Sequence, residues 1–257
     1  MAGSPGNAPI SSTSCAAPST EVGTIAAPRS DGAAPPRRLY GRRRGHRLRP
    51  GRRRLLEELL PRLEIRLRAG ETLDPRRLFG EERPLWLEIG FGDGGHLATR
   101  AAAHPEIGFL GVEPFVNGVA ALLARIAREG LANIRLFTDD ARLLIAALPD
   151  AAVARLFVLF PDPWPKKRHH KRRLVDRATV AEFARILAPG GELHIATDDP
   201  GYARWMLEAL LAEPRLDWLA ERAADWRRRP SDQPPTRYER KALAAGRRPV
   251  HLRFRRL

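Results

Sequence analysis

The sequence contains little that could cross-link the chain or place it in a membrane. A single cysteine, Cys15, stands among 257 residues, which excludes a disulfide framework and a zinc site built on cysteines. No apolar run approaches the ~20 residues of a membrane-spanning helix. The first residues show no charged stretch followed by an apolar one. We therefore expect a protein of a reducing compartment, the cytoplasm, with no membrane partner.

Acidic residues are few relative to basic ones. Lys and Arg number 45 against 30 Asp and Glu, which gives a net charge of +15 and a pI near 11.3. Such an excess favours a polyanionic partner, above all nucleic acid, although a solvated basic surface is the alternative. Residues 37–54 alone carry ten arginines and no acid. This arginine-rich segment repels itself and would neutralise phosphates if it lay on RNA.

Composition divides the chain into three parts. Residues 1–36 are rich in Ala, Pro, Ser, Thr and Gly without apolar periodicity, which predicts a disordered tail. Residues 37–60 join the arginines to a short helix expected at residues 55–60. Residues 61–257 remain, and with 43% hydrophobic residues in the chain they predict one α/β domain.

A short strand followed by glycines organises that domain. Residues 85–89 are apolar except for Glu88, as is typical of a buried parallel strand. Gly90, Gly92 and two further glycines follow, before an Ala-rich stretch that suits a helix. Glycines let the backbone turn tightly and approach a ligand, and a helix N-terminus after a strand favours nucleotide-type ligands. By itself the pattern is weak, because a simple tight turn would look the same.

Further apolar segments predict the rest of a Rossmann-like sheet. Four more strands are expected at residues 108–113, 133–137, 155–160 and 192–196, and two candidates lie at 216–219 and 250–254. Helical periodicity lies between several of them. We predict a mostly parallel, seven-stranded sheet with helices on both faces.

Carboxylates follow two of the predicted strands. Glu113 lies about 20 residues after the glycines, where an acid can bind both ribose hydroxyls. Asp140 follows the third strand and could accept from an adenine amino group. For both residues the alternative is a helix N-cap.

The segment Phe-Pro-Asp-Pro-Trp at residues 160–164, here named the proline loop, follows the fourth strand directly. Its prolines favour a rigid, non-helical backbone that presents Asp162 and Trp164 at the end of the strand. A carboxylate beside an aromatic ring suits a planar nitrogenous base, through stacking and a polar contact. The alternative is a loop in which Trp164 is simply buried.

A basic run at residues 166–173 follows the proline loop with six Lys or Arg residues. Beside such a loop these charges would hold phosphates near a reacting base, although a basic run is often only a solvated face. His169 and His170 lie within it, but no acid or cysteine stands at ligand spacing, so we expect no metal.

Five segments together resemble the bacterial tRNA (guanine-N7-)-methyltransferases, which are class I S-adenosylmethionine-dependent enzymes. The segments are Leu-Glu-Ile-Gly-Phe-Gly at 87–92, Gly-Val-Glu at 111–113, the proline loop with the basic run, Ala-Thr-Asp at 196–198 and Thr-Arg-Tyr-Glu at 236–239. They occur in the order that the family shows and cover the chain from residue 85 onward. The proline loop with its basic run is the most specific of them.

The resemblance implies roles for individual residues. Asp162 would be the catalytic residue, acting on guanine 46 of the tRNA variable loop, with no metal and no obligate protein partner. S-adenosylmethionine would contact Glu88, Gly90, Gly92, Glu113, Asp140 and Asp162. The guanosine would contact Lys166, Asp198, Thr236, Arg237, Tyr238 and Glu239. The rest of the RNA would contact Arg168, His169, His170, Lys171, Arg172 and Arg173.

Some positions depart from the family pattern, and other functions stay open. The family commonly has Thr-Lys-Phe-Glu at 236–239, and often His where Pro165 stands here. An exocyclic-amine methyltransferase usually carries Asp-Pro-Pro before an aromatic residue, whereas Trp164 takes the place of the second proline. An NAD-dependent oxidoreductase would favour Gly-x-Gly-x-x-Gly. A catalytically inactive tRNA-binding protein is the remaining alternative.

Overall fold

The computed structural model describes residues 1, 3, 40–68 and 70–257. Nearly all of the predicted disordered tail, residues 1–36, therefore lies outside the described residues. Seven strands in the described part form one sheet with the order β3-β2-β1-β4-β5-β7-β6. They are β1 (Leu85–Ile89), β2 (Gly108–Val112), β3 (Ile134–Phe137), β4 (Val153–Leu159), β5 (Leu187–Thr197), β6 (Leu216–Trp218) and β7 (Val250–Arg256).

The sheet is mostly parallel, as predicted. β1 to β5 pair in parallel, with β1 between β2 and β4, whereas β7 pairs antiparallel with both β5 and β6. β2 and β3 lie on one side of β1, and the chain then returns to place β4 on the other side. The strand order therefore reverses between β1 and β4. In open α/β sheets ligands bind beyond the carboxyl ends of the strands at such a reversal.

The helices of the described residues lie between and beside the strands. They are α1 (Pro50–Glu58), α2 (Leu60–Leu63), α3 (Arg76–Phe79), α4 (Gly95–Ala103), α5 (Val116–Glu129), α6 (Ala141–Ala147), α7 (Arg177–Ile186), α8 (Pro200–Leu211), α9 (Ala223–Arg227) and α10 (Arg237–Ala244), with a 3-10 helix at Lys167–Arg172. Within this part of the chain, none is long and apolar enough to span a bilayer.

Two apolar clusters cover the two faces of the sheet. Leu87 of β1 packs in one cluster with residues of α6, α7 and α8. Trp86 of the same strand packs in the other with residues of α4 and α5. Neighbouring residues of a strand point to opposite faces, and because both faces are covered, all five residues of β1 are buried.

The N-terminal helix differs from the prediction. A helix was expected at residues 55–60, but α1 begins at Pro50 and ends at Glu58. Proline is favoured in the first turn of a helix, where its missing N–H costs no hydrogen bond. α1 packs against α5, and Leu55 and Leu56 contact the apolar cluster on that face. This described end of the arginine-rich segment therefore packs on the domain.

Other elements also depart from the sequence pattern. β5 begins at Leu187 rather than residue 192, because Leu187 pairs with Val153 before the register shifts. α6 and α10 were not predicted. In α10 only Glu239 and Ala242 are buried, so apolar periodicity could not show it. The spacing of Thr236 and Glu239 matches a capping box, which is the signal that could have found it.

Candidate active site

A cleft of about 700 Å³ opens beyond the carboxyl ends of β1, β2 and β4. Its volume lies within the ~300–1,000 Å³ usual for sites that bind small molecules. Several residues that the sequence singled out separately line this cleft. They are Gly90, Gly92, Glu113, Asp140, Asp162, Trp164, Arg172, Arg237 and Tyr238.

Glu113, just beyond β2, links that strand to the glycine loop at residues 90–95. Its Oε2 accepts a hydrogen bond from the Gly92 N–H at 2.9 Å, and its Oε1 accepts from the Phe115 N–H at 3.0 Å. Burial raises the pKa of the Glu113 carboxyl, and the nearby carboxylates of Asp162 and Glu88 act in the same direction. A carboxylate has about four acceptor sites, so Glu113 keeps capacity for the hydroxyls of a ribose.

The glycine loop adopts conformations that need glycine. Gly90 and Gly92 have φ of 75° and 59°. A Cβ at Gly118 of α5 would lie 2.2 Å from the Gly92 carbonyl oxygen. A Cβ at Gly90 would meet nothing within 4 Å. Helix α5 therefore approaches the loop as closely as only glycine permits, and the backbone at Gly90 borders open space. The sequence analysis had not identified Gly118.

Asp140 is the N-cap of helix α6, which is the alternative role that the sequence allowed for this residue. Its Oδ1 accepts from the backbone N–H of Arg142 at 3.0 Å, and the Arg142 guanidinium pairs with the same carboxylate at 2.5 Å. The carboxylate stands in the wall of the cleft and is 7% exposed. Its acceptor capacity is therefore largely used within the protein.

The proline loop holds a strained backbone on both sides of Asp162. Phe160 and Trp164 have φ of 56° and 45°, a left-handed conformation that costs a residue with a Cβ about 1–2 kcal/mol. The Phe160 N–H donates to the Ala196 carbonyl of β5 at 2.7 Å. Asp162 remains exposed on its cleft side, yet the surrounding walls displace enough water to raise the pKa of its carboxyl.

Glu88 does not line this cleft. It is 3% exposed and pairs with His96 Nδ1 at 2.7 Å. A smaller cavity beside it is lined by Glu88, His96 and Thr236. Among the described residues three histidines are buried, namely His96, His194 and His251. None of them was predicted to have a role at the site.

Residues 236–239 divide between the cleft and the interior. Arg237 and Tyr238 line the cleft. Burial raises the pKa of the Tyr238 hydroxyl, and the Glu113 carboxylate adds to the effect. Thr236 caps α10 by accepting from the Glu239 N–H at 3.0 Å. Glu239 itself is 4% exposed and its Oε1 accepts from Arg229 Nε at 3.1 Å.

Lys166 and Asp198 do not line the cleft. Lys166 is exposed. Asp198 accepts from Arg247 Nε at 2.5 Å. The structure therefore does not bring these two expected guanosine contacts into the cleft.

The basic run faces two ways. Arg168 and Lys171 are exposed, and His169 and His170 are partly exposed. Partial desolvation lowers the pKa of His169, and the charges of Arg172 and Arg168 lower it further. The side chain of Arg173, predicted to contact RNA, is instead buried at 4% exposure. A side chain enclosed in this way cannot reach a phosphate on the surface.

Arg172 contacts both the proline loop and Tyr40, which belongs to the arginine-rich segment. Its guanidinium lies 4.8 Å from the ring centroid of Tyr40 and 4.9 Å from that of Trp164. Tyr40 also lines the cleft. Nearby, Gly45 N–H donates to Asn117 Oδ1, and Asn117 Nδ2 donates to the His46 carbonyl, both at 2.8 Å. No residue of the arginine-rich segment was predicted to lie at the site.

No group of three or more His, Cys, Asp or Glu side chains among the residues that the structure describes could hold a metal ion. The ligand groups of the cleft are instead carboxylates, backbone amides and aromatic rings. The sheet order with its antiparallel β7 is that of a Rossmann-like class I methyltransferase fold.

Comparisons with known proteins give the family. A family model described as a putative methyltransferase matches residues 82–252. A Rhodospirillum rubrum protein named tRNA (guanine-N(7)-)-methyltransferase is 54% identical over 225 residues, covering 85% of this chain and 88% of that protein. A protein of the same name from Nitrobacter hamburgensis is 50% identical over 219 residues, covering 85% of this chain and 86% of that protein. Another, from a Chelativorans species, is 47% identical over 217 residues, covering 84% of this chain and 94% of that protein. The chain belongs to the family of bacterial tRNA (guanine-N7-)-methyltransferases.

Among solved structures, one described as the 16S rRNA methyltransferase KamB is 17% identical, with a TM-score of 0.49, covering 73% of this chain and 95% of that chain.

Proposed function

We propose that the protein transfers a methyl group from S-adenosylmethionine to N7 of a guanine in tRNA, namely guanine 46 of the variable loop. The observation that carries the proposal is the position of Asp162. A strained loop holds this partly desolvated carboxylate in the same cleft as Glu113 and the glycine loop. The relatives named above carry the same activity in their names.

The residues of the cleft suit S-adenosylmethionine as the methyl donor. Glu113 has acceptor capacity for two ribose hydroxyls, and the backbone at Gly90 leaves room for close approach. Asp140 stands in the wall beside them, with most of its acceptor capacity used by Arg142. When bound, the cofactor supplies an electrophilic methyl group on a sulfonium.

Asp162 would act on the acceptor base by charge rather than by removing a proton. Guanine N7 carries a free lone pair at neutral pH, so no base is needed to activate it. The purine becomes cationic as N7 gains a methyl group, and a nearby carboxylate stabilises that charge most strongly where water is excluded. Asp162 is exposed toward the cleft, but partial desolvation by the cleft walls already raises the pKa of its carboxyl, and a base bound against it would exclude further water. Trp164 and Tyr238 supply aromatic surface for the base in the same cleft.

The charged surface around the cleft supports tRNA as the substrate. Lys166, Lys167, Arg168 and Lys171 are exposed directly after the proline loop. Exposed lysines and arginines that contact phosphates position a nucleic acid without reading its sequence. A cytoplasmic location is proposed with this substrate.

The test compares wild-type protein with Asp162→Asn, which keeps the shape of the side chain and removes its charge. Wild-type protein should transfer labelled methyl groups from S-adenosylmethionine to an unmodified tRNA transcript. Asp162→Asn should lower turnover about 100-fold, a usual cost of removing one electrostatic contact to a transition state, with unchanged tRNA affinity. Asp217→Asn, at an exposed carboxylate on β6, is the matched control.

Near-full turnover by Asp162→Asn would contradict the electrostatic role. Tight tRNA binding by the wild-type protein, without cofactor binding, would support an inactive RNA-binding protein instead.

A further inference from the structure

The proline loop can hold its strained conformation only through contacts from outside. Phe160 and Trp164 both have positive φ, and such conformations persist where the surrounding structure fixes them. Pro161, Pro163 and Pro165 have no N–H to donate. The carbonyl groups of the loop and the N–H groups of its other residues are therefore the points at which other residues can hold it.

Two hydrogen bonds hold the loop on either side of Asp162. Before it, the Phe160 N–H donates to the Ala196 carbonyl of β5 at 2.7 Å. After it, the Pro163 carbonyl accepts from Arg173 Nε at 2.9 Å. The first contact is part of the sheet, whereas the second comes from a side chain ten residues further along the chain.

Arg173 is itself held rigidly. Its guanidinium lies between two rings, 4.8 Å from the centroid of Tyr202 and 5.0 Å from that of Trp205. Val175 fixes both rings, since its N–H donates to the Tyr202 hydroxyl at 3.1 Å and its carbonyl accepts from Trp205 Nε1 at 2.8 Å. Burial raises the pKa of Tyr202 to about 12, so this ring stays neutral beside the cation.

We propose that Arg173 is a positioning residue for the methyl transfer: by fixing the Pro163 carbonyl it holds Asp162 at the distance from the acceptor base that the reaction needs. This inference rests on the proposed function. It assigns to Arg173 a role different from that of its exposed neighbours Arg168 and Lys171, which face solvent and can reach phosphates.

The test is Arg173→Lys, which keeps the charge but not the planar guanidinium that donates from Nε while it stacks on both rings. The turnover number at saturating tRNA should fall about 10- to 100-fold, because a displacement of about 1 Å at a reacting group can cost 100-fold. The tRNA affinity and its dependence on salt should match wild type. Arg177→Lys, an exposed arginine four residues away, is the matched control.

Lys171→Ala should show the opposite pattern. The tRNA affinity should fall and the slope of log affinity against log salt should become shallower by about 1, with the smaller effect on turnover. If Arg173→Lys behaves like Lys171→Ala, Arg173 is an RNA contact and the proposal is wrong.

Amide hydrogen exchange gives a readout that needs no acceptor. In Arg173→Lys, exchange of the Phe160 N–H, which donates to the Ala196 carbonyl, should accelerate while exchange in β1 and β5 stays as in wild type. Uniformly faster exchange would mean a general loss of stability, and unchanged exchange in the loop would also overturn the proposal. If wild-type protein methylates no tRNA, the proposed function fails, and the exchange rates still decide whether Arg173 fixes the loop.

A second variant covers the case in which Arg173→Lys does not fold. Trp205→Phe keeps a ring beside Arg173 but removes the hydrogen bond to the Val175 carbonyl. Its turnover should fall by a smaller factor, with the same local increase in exchange at the Phe160 N–H. Wild-type turnover and exchange in Trp205→Phe would contradict the proposal.

Discussion

At the scale of single residues, the cleft combines charged groups with partial exclusion of water. Burial raises the pKa of both Glu113 and Asp162, although each remains next to open space in the cleft. A carboxylate in such surroundings interacts more strongly with a developing positive charge than it would in water. The same burial lets each carboxyl take up its proton at a higher pH than a free acid does.

The pH dependence of turnover follows from Asp162. Because its pKa is raised, the carboxyl becomes protonated at a higher pH than a free aspartate and loses its charge there. The single-turnover rate should therefore rise with pH through that pKa and then level off. In Asp162→Asn the rate should be low and should lack this acidic limb. Rates measured from neutral pH down to the lowest pH at which the protein stays folded check this, and an identical limb in the variant would assign the titration to another group.

The stability of the fold should also depend on pH through His251. Burial lowers the pKa of His251 to about 4, and the charges of Arg229 and His194 act in the same direction. Between the usual histidine pKa of about 6.5 and this value, the unfolded chain binds a proton that the folded chain does not. Stability should therefore fall as pH drops through this window, by on the order of 3 kcal/mol.

His251→Gln should reduce this pH dependence, as measured by urea unfolding at several pH values within the window. His46→Gln, at an exposed histidine, should leave it unchanged. Equal pH dependence in wild type and His251→Gln would show that other groups cause the loss.

At the scale of elements, the carboxyl ends of parallel strands bring together residues that are distant in the sequence. Apolar runs predicted the strands well, because a strand covered on both faces has little choice of residue. Residues that follow such strands, Glu113 and Asp162 among them, were therefore expected at this edge of the sheet, and both line the cleft. Helix α10 and the position of Tyr40 at the cleft were not predicted. Both are held by caps, stacking and side-chain hydrogen bonds, which leave no period in the sequence.

The contact between α5 and the glycine loop can be tested by one methyl group. In Gly118→Ala the new Cβ would lie 2.2 Å from the Gly92 carbonyl oxygen, so the loop or the helix has to move. Overpacking of this kind costs about 1–3 kcal/mol, and affinity for S-adenosylmethionine should fall about 10-fold or more by calorimetry.

Gly51→Ala in α1 is the matched control, since its Cβ would meet nothing within 4 Å. It should bind the cofactor as wild type does. Unchanged cofactor affinity in Gly118→Ala would mean that the glycine loop does not form the cofactor site.

At the scale of the whole molecule, exposed lysines and arginines lie directly after the proline loop, next to the cleft. The net charge of +15 was evident from the sequence, but its distribution was not. The sequence predicted that residues 166–173 form a single basic surface, whereas the fold exposes Lys171 and buries Arg173. Similarly, α1 packs on α5, so its exposed arginines belong to the face of the domain that carries that helix. Direction of a side chain depends on tertiary packing, which a run of like charges cannot reveal.

A charge reversal on α1 tests whether this face binds tRNA. Arg53→Glu should weaken tRNA binding and reduce its dependence on salt, because fewer counterions are released, without changing cofactor affinity. Arg204→Glu, at an exposed position on α8 of the opposite layer, makes the same charge change elsewhere. Equal losses in the two variants would indicate a general effect of net charge instead of a specific face.

The central claim is that the protein forms N7-methylguanine in tRNA by means of the cleft around Asp162. The most direct measurement is methyl transfer from labelled S-adenosylmethionine to an unmodified tRNA transcript, followed by borohydride–aniline cleavage, which breaks the chain at N7-methylguanine. We expect cleavage at guanine 46 with wild-type protein and none with Asp162→Ala. Incorporated label without cleavage would contradict the claim, because the methyl group would then lie on another atom, such as an exocyclic amine.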